Sequence, residues 1–384
     1  MSDFGPDSNW RIRLANARGR TFRINRGPII SQAGRGFITV PGAQALPSRH
    51  GRRLHLPNQV IDERYVDPEK FAPGFQPSSE SSAPLWLAAP KTTDALYLSP
   101  SELPAFLAID ALPSRSDATP SETDNTRAIG VRAAAISATF LIVGRAALSL
   151  DVDPEEFDVL EPRIYGMTSR HPLLHITDHL VNGAGLCARL GSPVDGDVPL
   201  VVELIQSILQ DENEYPLNRF LDPSHQGCDE SCYRCLQRYG NSPYHALLDW
   251  QLGLAFLRAM VEPTYACGLN GNFVAPELRR FEELVQSRAD EMNLRFGIGS
   301  DTRHRFGRFE AFRIQLPRRR LSPWVLVVHP LWHTLGPPEN LHPDLREAAE
   351  EARLDAKAAP LFWDTFNLSR RPGFVRERIK RASS

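Results

Sequence analysis

Three of the chain's five cysteines fall within eight residues, in the stretch CDESCYRCLQRYGNSPYHALLDW that runs from Cys228 to Trp250. The spacing is C-x3-C-x2-C. Two thiolates separated by two residues can grip one ion, because a tight turn brings both sulfurs to the same side. Zinc takes four such ligands in a tetrahedron, with cysteine and histidine as the usual donors. Cys228, Cys232 and Cys235 supply three, and a closed structural site needs a fourth. The candidates are His245, His225, Cys187 and Cys267. His245 has the best position: it follows the loop and precedes a helix, where an imidazole can point back. His225 lies close but makes a cramped ring, and Cys187 reaches only through tertiary folding.

An iron–sulfur cluster is the rival occupant, since clusters use cysteine at such spacings. A redox C-x-x-C is disfavoured because nothing around it reads as thioredoxin-like. A catalytic zinc needs an open position and a base, and Glu230, inside the loop, reads as solvating it. The expected cofactor is a structural Zn2+ on Cys228, Cys232, Cys235 and His245, with Cys187 and His225 as alternatives for the fourth place.

The elements that must hold this loop mix without strict β-α-β alternation, so the expected fold is α+β, a mixed sheet with packed helices and a zinc-stapled Cys-rich loop. RIRLAN and TFRINR read as a hairpin turning at Gly19, and FITVPGA as a further strand. Residues 65–125 are rich in Pro, Ser and acidic residues, and 112–127 read as a loop. GVRAAAISATFLIVGRAALSL (130–150) is apolar on most faces and reads as a buried helix. HPLLHITDHLV (171–181) reads as a strand ending at NGAG, a tight turn where the strand meets a helix. Residues 197–211, 274–293 and 344–359 have the period of amphipathic helices. FEAFRIQLP and WVLVVHPLW read as strands around the basic turn PRRR, LFWDTFNL as a last strand and FVRERIKRA as a terminal helix. The expected division is 1–125, basic hairpin and acidic Pro/Ser-rich stretch; 126–265, the zinc-binding domain; and 266–384, an α+β extension.

The formal net charge of -2 hides a polarised distribution: residues 1–55 carry ten Arg against two Asp, and 301–320 and 370–381 are basic. Arg forks pair well with phosphate. Arg234, Arg238, Arg303, Arg305, Arg308, Arg318, Arg319 and Arg320 are therefore the candidate nucleic-acid contacts, with Tyr233 and Tyr239 as stacking faces. The alternative is that the tyrosines pack beneath the loop and the arginines are solvated. His171, His175 and His179 share a face but nothing local completes a site, so they read as a half-exposed strand face. Asp178 either serves a site or caps the following segment. No Walker A string, G-x-S-x-G, H-E-x-x-H or kinase set is present, so no catalytic activity is expected from this chain. No apolar run reads as spanning a membrane, no secretory leader is visible, and clustered cysteines of odd number suit a reducing, cytoplasmic setting.

LVNGAGLCARLG (180–191) followed by CDESCYRCLQRYGNSPYHALLDWQLGLAFL (228–257) resembles the MrfA-like zinc-binding domain family. That module occurs at the C-terminus of mitomycin-repair-type helicases and in DrmB, the helicase-associated protein of the DISARM phage-defence system. The match runs through Asn182, Gly183, Ala184, Gly185, Cys187, Cys228, Asp229, Ser231, Cys232, Cys235, Leu236, Tyr239, Asn241, His245 and Leu247–Trp250. It departs at Leu186, where Tyr is usual, and at Asn241, where the repair helicases carry a fourth cysteine. The resemblance covers about residues 128–262. It implies a zinc-stabilised, DNA-binding accessory of a separate superfamily 2 helicase, in bacterial anti-phage defence. A structural adaptor that docks a partner protein without nucleic acid, and a metal-dependent nuclease or hydrolase, are the alternatives.

Overall fold

The computed structural model describes residues 2–4, 12–25, 44–48, 51–55, 87–112, 122–165, 171–195, 197–297 and 302–383. The FITVPGA strand and most of the 65–125 stretch lie outside them. The chain divides into two compact units. One comprises Met1–Asn16, Ala95–His179 and Gly185–Ser384; the other comprises Ala17–Asp94 and Leu180–Ala184.

The fold is α+β. One sheet runs in the order Ser2–Phe4, Ile12–Asn25, Leu87–Pro100, His171–Asp178, Phe157–Tyr165. The His171–Asp178 strand pairs antiparallel on both sides. A second, mixed sheet runs Arg303–Phe306, Phe309–Phe312, Val325–Val328, Leu361–Asp364, its last pair parallel. In the second unit, Gln44–Ser48 pairs antiparallel with Gly51–His55.

The Ala-rich run forms the long helix Glu122–Leu150, and its Ala133–Ile136, Leu141 and Ile142 are fully buried. Ala128–Leu150 is apolar and long enough to cross a bilayer by length and composition alone, contrary to the expectation that no such run exists. Its most apolar window is 78% buried within the fold, which marks a core helix. It packs on the helix Trp250–Val261 at Gly253, where a Cβ would come within 2.9 Å of Ser137 Cβ. Only a residue without a side chain permits that approach. The Asp249 carboxylate caps Trp250–Val261 by accepting from Leu252 N at 3.0 Å, and Asp249 N donates to Ser137 Oγ at 2.9 Å. The loop that follows the cysteines is thereby anchored to the core.

Four element expectations are corrected. Ile12–Asn25 is one continuous strand through Gly19, not a hairpin, and its first three residues pair with Ser2–Phe4. The long helix begins at Glu122, inside the segment read as loop. The last strand stops at Asp364, whose carboxylate accepts from Asn367 N at 2.8 Å and starts the helix Thr365–Arg370. In 274–293, Pro276 delays the helix, which spans Phe281–Phe296. The helices Leu200–Gln210, Pro343–Ala356 and Pro372–Ala382 form where the period placed them.

Candidate metal centre

The cysteine stretch between Gly227 and Tyr239 is irregular, so its shape comes from hydrogen bonds and side-chain packing. Cys232 N donates to Cys235 Sγ at 3.1 Å, while Cys235 N and Gln237 N both donate to Cys232 O. That double turn aims Cys232 and Cys235 the same way, with the sulfurs 3.7 Å apart. Upstream, Asp222 caps a one-turn 3₁₀ helix, Pro223–His225, by accepting from Ser224 N at 2.7 Å. Cys228 N then donates to His225 O at 3.0 Å, which folds the histidine back over the cysteines. His225 Nε2 lies 3.4 Å from Cys232 Sγ.

One donor atom from each of His225, Cys228, Cys232 and Cys235 lies within 4.8 Å of every other. Zn–S bonds of about 2.3 Å and Zn–N bonds of about 2.0 Å give tetrahedral edges of roughly 3.5–3.8 Å. The two short separations, 3.4 and 3.7 Å, fall at that scale. None of the three cysteines is in a disulfide. These residues fit a metal ion.

The histidine grouped with the three thiols is His225, one of the two alternatives for the fourth place. His245 is not at the thiols. Its Nε2 lies 2.9 Å from Arg238 O and 3.0 Å from Asn241 Oδ1, both acceptors, so it donates and braces the loop. Asn241 is a second brace: Oδ1 accepts from Arg238 N at 2.8 Å and Nδ2 donates to Leu236 O at 2.9 Å. Cys187 is buried in the helix Leu186–Leu190, its Sγ 3.7 Å from Ile176 O. Cys267 is buried against His329, 3.4 Å away. The ring that looked cramped closes because Pro223 pre-sets the turn preceding the histidine.

The electrostatics ask for a cation. The hydrogen bond from Cys228 holds the Cys235 thiol down at about 5, helped by Cys232 N–H and the His225 ring against the pull of burial. The same hydrogen bond, with burial and the neighbouring sulfurs, pushes the Cys228 thiol far up. One thiolate forms readily, and more in the same place need a positive charge between them. The site is shielded: Cys235 is buried and His225 is 5% exposed. The Trp250 indole covers one flank, stacked on Phe220 at 4.6 Å, and its Nε1 donates to Cys228 O at 3.1 Å. Arg280 donates to Gln226 O and pairs with Asp229 at 3.0 Å.

Three of these supports were missed in the sequence. The Pro-Ser-His turn is signalled by Asp222-Pro223, a helix-start pair, and by the repeat of the two-residue spacing in H-x2-C and C-x2-C. Trp250 carries no such signal as a cover. Glu230 does more than solvate the loop: its carboxylate accepts from Ser369 Oγ at 2.7 Å and pairs with Arg370 at 2.8 Å.

The candidate nucleic-acid residues divide into two groups. At the metal loop, Tyr233 and Tyr239 are 70% and 89% exposed, so they do not pack beneath it. Tyr233 meets the His245 ring edge-on at 5.4 Å. Arg234 is exposed, its Nη1 3.5 Å from Ser224 O, and Arg238 is half-buried. On the second sheet, Arg303 pairs with Asp290 and Glu310, Arg305 with Glu310 at 2.9 Å and Arg308 with Asp344 at 2.7 Å. Arg318 is exposed with φ 61°, and Arg320 donates to Ser383 O at 3.2 Å. The Arg319 side chain lies outside the described residues.

The histidine run holds no metal cluster among the described residues. His171 is buried, and His175 stacks on Tyr97 at 4.3 Å with burial and Arg163 depressing its titration to about 4. Asp178 is a cap, accepting from Leu186 N and Cys187 N.

No family model matches the chain, and no curated protein matches it. Among solved structures, it is similar to the crystal structure of the DUF1998 helicase MrfA bound to DNA, at 11% identity and a TM-score of 0.25. That similarity covers 66% of this chain and 26% of that one, so it spans about a quarter of the helicase's length. It is a distant similarity, and a TM-score of that size carries no argument about function.

Proposed function

We propose that this chain is a non-catalytic, zinc-bearing, DNA-binding accessory subunit that works beside a separate superfamily 2 helicase in bacterial anti-phage defence. The observation that carries the metal part is the convergence of His225, Cys228, Cys232 and Cys235 within 4.8 Å. Zinc bound there supplies a structural crosslink between the Pro223–His225 turn and the cysteine loop. Four protein donors close a tetrahedron and leave no position for water, so a structural ion fits better than the nuclease or hydrolase alternative. The helicase and defence setting rests on the motif resemblance at 180–191 and 228–257. The DNA part rests on Tyr233, Arg234 and Tyr239, all exposed in one short stretch of the loop.

Elemental analysis of purified protein should return one zinc per chain. Filter binding on single- and double-stranded DNA should find affinity that falls with salt, with a shallow slope set by about two or three phosphate contacts. No binding of either DNA at low salt removes the DNA part. A helicase retained in a nuclease-treated pull-down would then favour the adaptor reading.

A further inference from the structure

We propose that the metal loop latches the two C-terminal helices through Glu230, so that loss of the ion frees them. The inference rests on the reading that His225, Cys228, Cys232 and Cys235 hold an ion, and it adds a regulated output to that site.

Glu230 lies between two of the donors, Cys228 and Cys232, so both of its flanks are pinned when the sulfurs share an ion. Its carbonyl accepts Trp250 N at 2.9 Å, at the start of the core helix Trp250–Val261. Its carboxylate is committed elsewhere. Oε1 accepts from Ser369 Oγ at 2.7 Å, and Oε2 pairs with Arg370 Nη2 at 2.8 Å. Arg370 Nη2 also reaches Leu248 O at 3.4 Å. The side chains of Arg370 and Glu230 are 25% and 29% exposed, so the pair is substantially withdrawn from water. Charge-assisted bonds of this kind hold better than exposed ion pairs do.

Ser369 and Arg370 end the helix Thr365–Arg370, and Pro372–Ala382 begins two residues later. That final helix buries Val375 and Ile379 and otherwise carries a run of basic residues. Arg371 and Arg378 lie over the Phe374 ring of the same helix. Phe374 against Trp363, Arg376 over Phe296 and Arg320 on Ser383 O also hold this short helix along its length, so the Glu230 contact bears on its N-terminal end. Glu230 is what fixes it from the loop side. Without the ion nothing ties Cys228 to Cys232 across Glu230, the loop loosens, and the carboxylate no longer meets Ser369 and Arg370 in register.

Hydrogen exchange by mass spectrometry on the full chain tests this in three samples: zinc-loaded, chelated, and chelated then reloaded, with zinc content measured on each. Amides in 365–382 should exchange about tenfold faster after chelation and return on reloading, the size expected for losing a charge-assisted contact. Glu230→Gln, with zinc fully bound, should show the same acceleration in 365–382 alone. The latch is overturned if chelation speeds exchange at 225–238 but leaves 365–382 unchanged, or if zinc-loaded Glu230→Gln keeps 365–382 protected. Should chelation unfold the whole protein, the zinc-loaded variant decides. A protein that takes up no zinc loses the metal reading itself and the latch with it, and the zinc analysis tells that failure from the others.

Discussion

The metal loop and the arginine-rich second sheet look alike as strings, since both mix basic residues with aromatics, yet they are built in opposite ways. On the sheet the charges are consumed internally. Arg303 and Arg305 share Glu310, which is 10% exposed, and Arg308 takes Asp344. Arg313 lies over the Trp324 ring at 4.7 Å. At the loop the polar groups are spent on the backbone, through Asn241, His245 and Gln237, while Tyr233, Tyr239 and Arg234 face outward. Arginine count in a sequence therefore does not measure available charge. What matters is whether carboxylates such as Glu310, Asp290 and Asp344 fold onto the same surface.

The comparison breaks first at the ion. Cys232→Ser or Cys235→Ser should abolish stoichiometric zinc and cost several kcal/mol, about the largest single-residue effect in the molecule, because binding free energy at a structural site is folding free energy. Chemical denaturation with zinc analysis checks it. A variant that keeps its stability without zinc would mean that the hydrogen-bonded loop holds itself. The two histidines divide next. His225→Ala should lose zinc affinity by orders of magnitude, whereas His245→Ala should keep one zinc per chain and cost about 1–2 kcal/mol as a lost brace. Zinc competition against a chromogenic chelator separates them, and equal losses would return His245 to the ligand set.

The loop's chemistry was legible where it is local. Three cysteines in eight residues point to a group that could hold a metal ion, and the core helix announces itself in its alanines. The fourth donor was not legible, because the choice between His225 and His245 turns on a 3₁₀ turn at Pro223 and on where the Arg238 carbonyl points. The turn sets its histidine against Phe220 and Trp250, contacts that no local pattern announces. The fate of the sheet arginines was hidden for the same reason. Arg303 and Asp290 are thirteen positions apart, and only folding places the helix Phe281–Phe296 beside the Arg303–Phe306 strand. The hairpin at Gly19 failed because a permissive residue does not by itself make a turn: Ile12–Asn25 runs through it as one strand.

Buried acids sharpen the contrast. Glu310 on the sheet keeps its arginines, but Asp249, behind the loop, is fully buried, and burial with nearby Glu230 pushes its carboxyl to about 7, against the opposing pull of its helix-start amides and Arg370. The folded state thus holds a proton that the unfolded chain releases near its ordinary value of 3.8. Stability from this group is fully present below about 4, falls as pH rises through the window to about 7, and is level above it. Asp249→Asn keeps a good helix cap and should flatten that component. Denaturation midpoints of zinc-saturated wild type and variant between pH 5.5 and 7.5 give the difference, with metal-linked protons cancelling. An unchanged slope would mean that Asp249 stays ionised.

The smallest effect is the most discriminating. Arg303→Gln should cost about 1–2 kcal/mol of stability, because Asp290 and the buried Glu310 lose a partner, and should leave DNA affinity where it was. Arg234→Gln should do the reverse: stability within about 0.5 kcal/mol of the parent, and DNA affinity lower by about 0.5–1 kcal/mol, with a salt slope reduced by close to one ion. Tyr239→Ala should lower affinity with the slope unchanged, since a stacked base releases no counterion. The three variants give three different pairs of readouts from the same two assays. If Arg303→Gln weakens DNA binding as Arg234→Gln does, the sheet's ion pairs open to meet phosphate, and the distinction between spent and available arginines collapses.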